Sequence, residues 1–278
     1  MNISQALIYG RNTLIKSESP EIDAQVLLCH ILSCQTTFLH SWAEKQLNQQ
    51  QQDTFKQLIK QRQRGQPIAH ITGQQGFWTL DLNVTADTLI PRPDTELLVE
   101  LALSKLTDKM IVADLGTGSG AIALALAHEQ PTAQILAMDQ SSSALIVAKK
   151  NAVQNQLNNV SFWQGKWLDA ITEHALDLVV SNPPYIEEDD PHLLQGDVRF
   201  EPLAALTSGD DGLDDIRIIV RQAQHCLKSS GWFLVEHGYD QAQQVLALFR
   251  NAGFTNISTH QDFGGNDRVV MGQKTNER

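Results

Sequence analysis

The residues best equipped for chemistry stand together as Asn182, Pro183, Pro184 and Tyr185, directly after the apolar run Leu178-Val179-Val180 and Ser181. Each proline fixes its own φ, and Pro183 pushes Asn182 into an extended conformation. Neither proline carries an N–H, so the corner offers acceptors: the Asn182 side-chain carbonyl and the Pro183 backbone carbonyl. Two acceptors suit a donor with two N–H bonds, an NH2 group. Hydrogen bonds to such a group fix its plane and aim its nitrogen, while Tyr185 adds a flat aromatic wall. Planar NH2 groups occur on adenine, cytosine, guanine and carboxamides, and all are poor nucleophiles because the lone pair is delocalised. Holding the nitrogen in line with an electrophilic carbon lowers the barrier by orientation. The acceptors also stabilise positive charge building on nitrogen. Asn182, Pro183 and Tyr185 are therefore the expected catalytic residues, and Pro184 completes the substrate corner.

The electrophile needs a site of its own. The stretch MIVADLGTGSGAIALALA (110–127) reads as a strand, a glycine turn and a helix. Gly116, Gly118 and Gly120 let the turn tighten and let the backbone approach a ligand closely. Gly116-x-Gly118-x-x-Ala121 also fits the dinucleotide fingerprint. Asp139 ends the next strand, QILAMD, where a carboxylate can accept both hydroxyls of a ribose. Asp114, just before the first glycine, disfavours a pyrophosphate at the turn and favours a cationic ligand. S-adenosylmethionine, with its sulfonium and ammonium groups, fits.

These residues must be positioned by an alternating fold. The first 65 residues read as helices: SQALIYGRNTLI and IDAQVLLCHIL carry helical spacing, the second after Ser19-Pro20-Glu21. NQQQQDTFKQLIKQRQRG reads as a polar helix with an apolar stripe of Phe55, Leu58 and Ile59, its Lys56, Lys60, Arg62 and Arg64 on a solvated face. FWTLDLNV alternates as a strand or hairpin does. TLIPRPDTELLVELALSKL places two prolines before a helix, with Asp94 or Thr95 as its cap. Beyond about residue 88, strands are expected at 110–115, 134–139, 159–164, 176–182, 231–236 and near 268–272. Helices are expected at 119–129, 142–154, 214–229 and 239–252. This alternation predicts a mostly parallel sheet covered by helices, with Asn182, Gly116 and Asp139 at the carboxyl ends of strands in one crevice.

Composition narrows the function. The chain has 278 residues and a net charge of −11. Residues 1–88 hold seven basic and seven acidic residues, so all of the imbalance lies beyond. That sign favours a cationic or protein substrate over a phosphate backbone. Glu187-Glu188-Asp189-Asp190 would repel phosphate beside the corner and attract a basic protein loop. Three cysteines without a second ligand pair at zinc-like spacing predict neither a disulfide framework nor a metal. Neither a leader peptide nor an apolar run near the roughly 20 residues that span a bilayer is seen, so a cytoplasmic protein is expected. His237 in LVEHG reads as a structural hydrogen-bonder rather than a base.

DLGTGSG followed by Asp139 and NPPY resembles the class I S-adenosylmethionine-dependent methyltransferases that modify planar nitrogens. Within them the chain is similar to the PrmC (HemK) family of protein-(glutamine-N5) methyltransferases. The resemblance extends through GQPIAHITGQQGFW (65–78), LIPRPDTELLVE (89–100), GDVRFEPLAAL (196–206), VEHGYDQ (235–241) and GGNDRVVMG (264–272). It implies a Rossmann-like α/β domain with a seven-stranded, mostly parallel sheet, an N-terminal helical bundle and a β-hairpin linker. The implied bounds are 1–75 for a bundle that docks the protein substrate, 76–88 for the linker and 89–278 for the catalytic domain. It further implies transfer of a methyl group from S-adenosyl-L-methionine, leaving S-adenosyl-L-homocysteine, to the glutamine of the Gly-Gly-Gln motif in bacterial peptide chain release factors. By position, Gly116, Thr117, Gly118, Ser119, Gly120, Asp139, Trp167 and Asn182 are the implied cofactor contacts. Asn182, Pro183, Pro184 and Tyr185 form the implied glutamine site, braced by Arg92 and Glu201. A monomer without nucleic-acid or membrane partners is expected, and the tail QKTNER has no assigned role. The residues alone leave two other readings open: a nucleic-acid exocyclic-amine methyltransferase, and a non-catalytic nucleoside-binding module.

Overall fold

The computed structural model describes residues 1–275. The chain forms two compact units, Met1–Gln74 together with His192–Phe200, and Gln75–Pro191 together with the residues from Glu201 onward.

The first unit is built from α1 (Ile3–Thr13), α2 (Pro20–Leu32), α3 (Thr36–Ser41), α4 (Gln49–Gln63) and α5 (Ile68–Thr72). Asn2 and Asn48 open α1 and α4 through capping boxes with Gln5 and Gln51. Ile3, Leu27, Leu28, Phe55 and Ile59 are fully buried between the helices. Gly10 permits their close approach, since a Cβ there would lie 2.7 Å from the Ala24 Cβ. Arg62, expected on a solvated face, is instead half-buried. Its guanidinium pairs with Asp23 at 2.7 Å and with Asp197 at 2.8 Å, tying the His192–Phe200 segment to α2 and α4. The periodicity of α4 could not show this, because the partner lies 135 residues away.

The second unit begins with the hairpin β1 (Gln74–Phe77) and β2 (Leu80–Asn83). Trp78 in its turn donates its backbone N–H to Glu96 and its indole N–H to Glu129, both at 2.7 Å. There follow α6 (Glu96–Leu103), β3 (Ile111–Leu115), α7 (Ala121–Glu129), β4 (Gln134–Asp139), α8 (Ser142–Gln154), β5 (Val160–Gln164), β6 (Leu176–Ser181), α9 (Asp214–Cys226), β7 (Leu227–Glu236), α10 (Ala242–Asn251), β8 (Phe254–Gln261) and β9 (Asp267–Lys274). Among the described residues the main sheet has seven strands in the order β5-β4-β3-β6-β7-β9-β8. β9 runs antiparallel to both of its neighbours and the other pairings are parallel. Buried layers cover both faces, which is why β3 and β6 are near-continuous apolar runs. β8 escaped the sequence reading because FTNISTHQ, at the sheet edge, buries only Phe254. No helix among the described residues is long and apolar enough to cross a membrane.

The chain leaves β3 toward β4 and β5, then returns to β6 on the other side. This reversal opens a crevice at the carboxyl ends of β3 and β6. Asp114, at the end of β3, shapes the turn from beneath. It is fully buried. Its Oδ2 accepts from the Thr117 hydroxyl at 2.6 Å and from the Ala123 N–H at 3.1 Å, while Oδ1 has no partner. Burial pushes its pKa up to about 7. An acid raised in the folded state destabilises the fold as pH rises above its unfolded pKa, with the full cost reached above the folded one. The stability of the wild type relative to Asp114→Asn should therefore fall by about 2–3 kcal/mol between pH 5 and pH 8. Urea titrations of both proteins at four pH values check this; parallel curves would refute it.

Candidate active site

The crevice is a cleft of about 860 Å³. It is lined by Gly116 and Gly118 from the turn after β3, Asp139, Gln140 and Ser141 after β4, Gly165, Lys166 and Trp167 after β5, and Asn182 and Pro184 after β6. Asp87, Thr88, Leu89, Pro202, Ala204 and Ala205 complete its walls. The turn is fixed to the neighbouring strand: the N–H groups of Gly116 and Thr117 both donate to the Met138 carbonyl at 2.9 Å. Gly116 sits in the left-handed region at φ 71°, and a Cβ there would lie 3.4 Å from the Trp167 ring. A side chain at 116 would thus occupy the cradle between the ring and the turn.

Asp139 accepts the Gly118 N–H at 2.9 Å on one carboxylate oxygen and the Ser141 N–H at 2.8 Å on the other. Each oxygen keeps lone-pair capacity for a further donor in the cleft, as a diol requires. Trp167 is held at φ 48°, an unusual conformation for a bulky residue. Its indole N–H donates to Asp215 at 3.1 Å, which orients the ring against Gly116. A glycine turn, an aromatic wall and an oriented carboxylate together fit a nucleoside.

The remaining expected cofactor residues, Thr117, Ser119 and Gly120, do not line the cleft. Thr117 and Ser119 are buried. The Thr117 hydroxyl bonds Asp114, and the Ser119 carbonyl accepts from Asn151 at 2.9 Å. Gly120 supplies the left-handed N-cap of α7 at φ 89°. Asp114 itself does not line the cleft, so its placement carries no direct contact with a cationic ligand. Its part is to hold the turn.

The Asn182 corner is anchored on every side. The Ser181 hydroxyl donates to the Leu115 carbonyl at 2.8 Å, joining the ends of β6 and β3. The Tyr185 and Ile186 N–H groups both donate to the Leu206 carbonyl, at 3.2 and 2.9 Å. The Tyr185 carbonyl accepts from Gln241 at 3.0 Å and passes so near Gly212 that a Cβ there would lie 2.2 Å from it. Pro183 is buried behind the corner and Pro184 faces the cleft. Arg92 and Glu201, expected as braces, pair with each other: one guanidinium nitrogen lies 2.8 Å from both oxygens of the buried carboxylate. Neither lines the cleft.

Two residues escaped assignment from sequence. Thr95 opens α6 without capping it; its hydroxyl oxygen instead accepts the Asn182 Nδ2 at 3.1 Å. Glu236 ends β7, 1% exposed, and accepts the Tyr185 hydroxyl at 3.3 Å. Burial raises the Glu236 pKa to about 7 against the opposing effects of Thr95, Arg268 and Tyr185. Burial, with Glu236 beside it, pushes the Tyr185 phenol well above its usual range. The only available signal was the corner itself, because a buried amide demands a partner. His237 is fully buried, shares a 2.8 Å hydrogen bond with the Gly238 carbonyl through Nδ1, and is held neutral by burial.

Known proteins resemble this chain in sequence and fold. A family profile described as the PrmC N-terminal domain matches residues 5–73, and one described as the methyltransferase small domain matches residues 93–196. The release factor glutamine methyltransferase of Aliivibrio fischeri is 46% identical over 94% of this chain and 93% of its own. That of Vibrio cholerae is 49% identical over 94% of this chain and 92% of its own. The solved structure of a methyltransferase from Pyrococcus furiosus, 15% identical, superposes with a TM-score of 0.56 over 72% of this chain and 91% of that one, a likeness of fold. At this identity over nearly its whole length, the chain belongs to the release factor glutamine methyltransferase family.

Proposed function

We propose that the chain methylates the side-chain amide nitrogen of the glutamine in the Gly-Gly-Gln motif of bacterial peptide chain release factors, with S-adenosyl-L-methionine as methyl donor. One observation carries the reading: Asn182 and Pro184 line the same cleft as Gly116, Asp139 and Trp167. A nucleoside held by the glycine turn and an amide held by the corner would therefore meet inside one enclosure. The bound cofactor supplies an activated methyl carbon on a sulfonium sulfur.

The residues divide the remaining work. Gly116 and Gly118 admit the cofactor against backbone, Asp139 takes the ribose hydroxyls, and Trp167 walls the adenine. The Asn182 Oδ1 and the Pro183 carbonyl receive the two N–H bonds of the glutamine amide. These bonds fix the nitrogen in line with the electrophilic carbon and stabilise positive charge as the new N–C bond forms. The nitrogen then gives up one proton, so no strong base is needed beforehand. Pro184 and Tyr185 confine the amide plane, and the Arg92–Glu201 pair braces the segment bearing Thr95 and the segment before Pro202. We assign the helical residues 1–75 to docking of the protein substrate, residues 76–88 to a linker, and the chain to the cytoplasm, where release factors act.

Labelled S-adenosylmethionine offered with a release factor, with a Gly-Gly-Ala variant of it, and with DNA separates this function from its rivals. Label should enter the intact release factor alone. Label in DNA would favour a nucleic-acid amine as acceptor, and label in none would favour a binding module. Asn182→Ala should lose about 10²–10³-fold in kcat while cofactor binding weakens less; wild-type turnover at saturating substrate would defeat the assigned role. Glu187, Glu188 and Asp189 are exposed beside the corner. Replacing them and Asp190 with amides should slow association with a basic release factor and flatten its salt dependence. Stopped-flow binding at several ionic strengths reads both effects, and unchanged kinetics would remove the steering role.

A further inference from the structure

The Asn182 carboxamide has two ends of opposite character and nearly equal size. Only one orientation serves the reaction. With Oδ1 toward the acceptor, Asn182 accepts from the substrate NH2. Rotated by half a turn, it would present its own NH2 to another NH2, and two donors cannot bond. The two Pro-fixed peptide units do not choose between these orientations, because both keep the same backbone.

The choice is made on the far side. Asn182 Nδ2 donates to the Thr95 hydroxyl oxygen at 3.1 Å. Thr95 is 4% exposed, and its hydroxyl lies beside the Glu236 carboxylate, whose ionised form it favours. With the NH2 end of the amide on the Thr95 oxygen, Oδ1 is the end left for the acceptor of the methyl group. The Tyr185 hydroxyl donates to the same carboxylate at 3.3 Å, with Arg268 and Asp94 as the other charged groups that face it. Both sides of the substrate corner, residues 182 and 185, therefore converge on one buried acid.

We propose that Thr95 and Glu236 are positioning residues for methyl transfer: Thr95 sets the rotation of the Asn182 carboxamide so that its oxygen meets the acceptor amide, and Glu236 holds the Tyr185 hydroxyl on the other side of the corner. This rests on the function proposed above.

The test uses the full chain, labelled S-adenosylmethionine and a release factor, and measures kcat, KM, cofactor affinity and thermal unfolding for Thr95→Val, Thr95→Ser, Glu236→Gln and Asn182→Ala. Thr95→Val keeps the shape and removes the hydroxyl; its kcat should fall about 10²-fold, as expected for a misaligned reacting group, with KM and cofactor affinity nearly unchanged. Thr95→Ser restores the hydroxyl and should recover kcat to within a few-fold of wild type. Glu236→Gln weakens the acceptor that holds the Tyr185 hydroxyl and should lower kcat about tenfold. Wild-type kcat in Thr95→Val, or a Thr95→Ser as impaired as Thr95→Val, overturns the inference. If Thr95→Val gives no cooperative unfolding transition, Glu236→Gln decides alone, and full kcat there overturns it. An inactive Asn182→Ala beside a fully active Thr95→Val sinks the positioning role and spares the proposed function. A fully active Asn182→Ala sinks the role given to the corner, whereas no label transfer to the release factor by the wild type sinks the proposed function itself.

Discussion

At the ends of two neighbouring, ladder-paired strands a side-chain hydrogen bond is added, from the Ser181 hydroxyl to the Leu115 carbonyl. On one side of it begins the glycine turn, and on the other begins the donor-free corner. β3 and β6 pair in parallel up to this point, Leu115 opposite Ser181. Beyond it the two segments part because the strand order reverses, and the space they leave is the cleft. The relative placement of the two half-sites is thus a consequence of sheet register. A one-residue slip would exchange the faces of every side chain on β6 and swing Asn182 away from the turn.

The site stores polar groups where water cannot reach them. Asp114 holds the turn after β3 and Glu236 stands behind the corner after β6; burial raises both. Such acids weaken the fold at neutral pH, and an apolar core would stabilise it more. Their retention is consistent with orientation as their use. Asp114 gathers the Thr117 hydroxyl and the Ala123 N–H, which closes the loop tightly enough to leave Gly116 and Gly118 facing the cleft. Glu236 receives Tyr185 and lies beside Thr95, which holds Asn182.

The glycines likewise divide by function. Gly116 lacks a side chain because its backbone sits in the left-handed region, at φ 71°, beside the Trp167 ring. Gly212 lacks one so that the Tyr185 carbonyl can pass beside it. The first is required by a backbone angle and the second by a close approach that a Cβ would block.

Local sequence determined much of this protein. The glycine spacing at 116–120, the acid ending β4 and the two prolines after Asn182 are short-range features whose backbone consequences follow from φ restrictions and strand periodicity alone, and they located the cleft walls at Gly116, Asp139 and Asn182. The alternation of strand and helix from β3 to β7 was legible for the same reason. Tertiary structure alone decided what lies between distant segments: that Thr95 turns to Asn182 instead of capping α6, and that Arg62 is drawn to Asp23 and Asp197. Each depends on a partner many residues away. A hydrogen bond or an ion pair leaves no period in a sequence, whereas a buried face and a fixed backbone angle do.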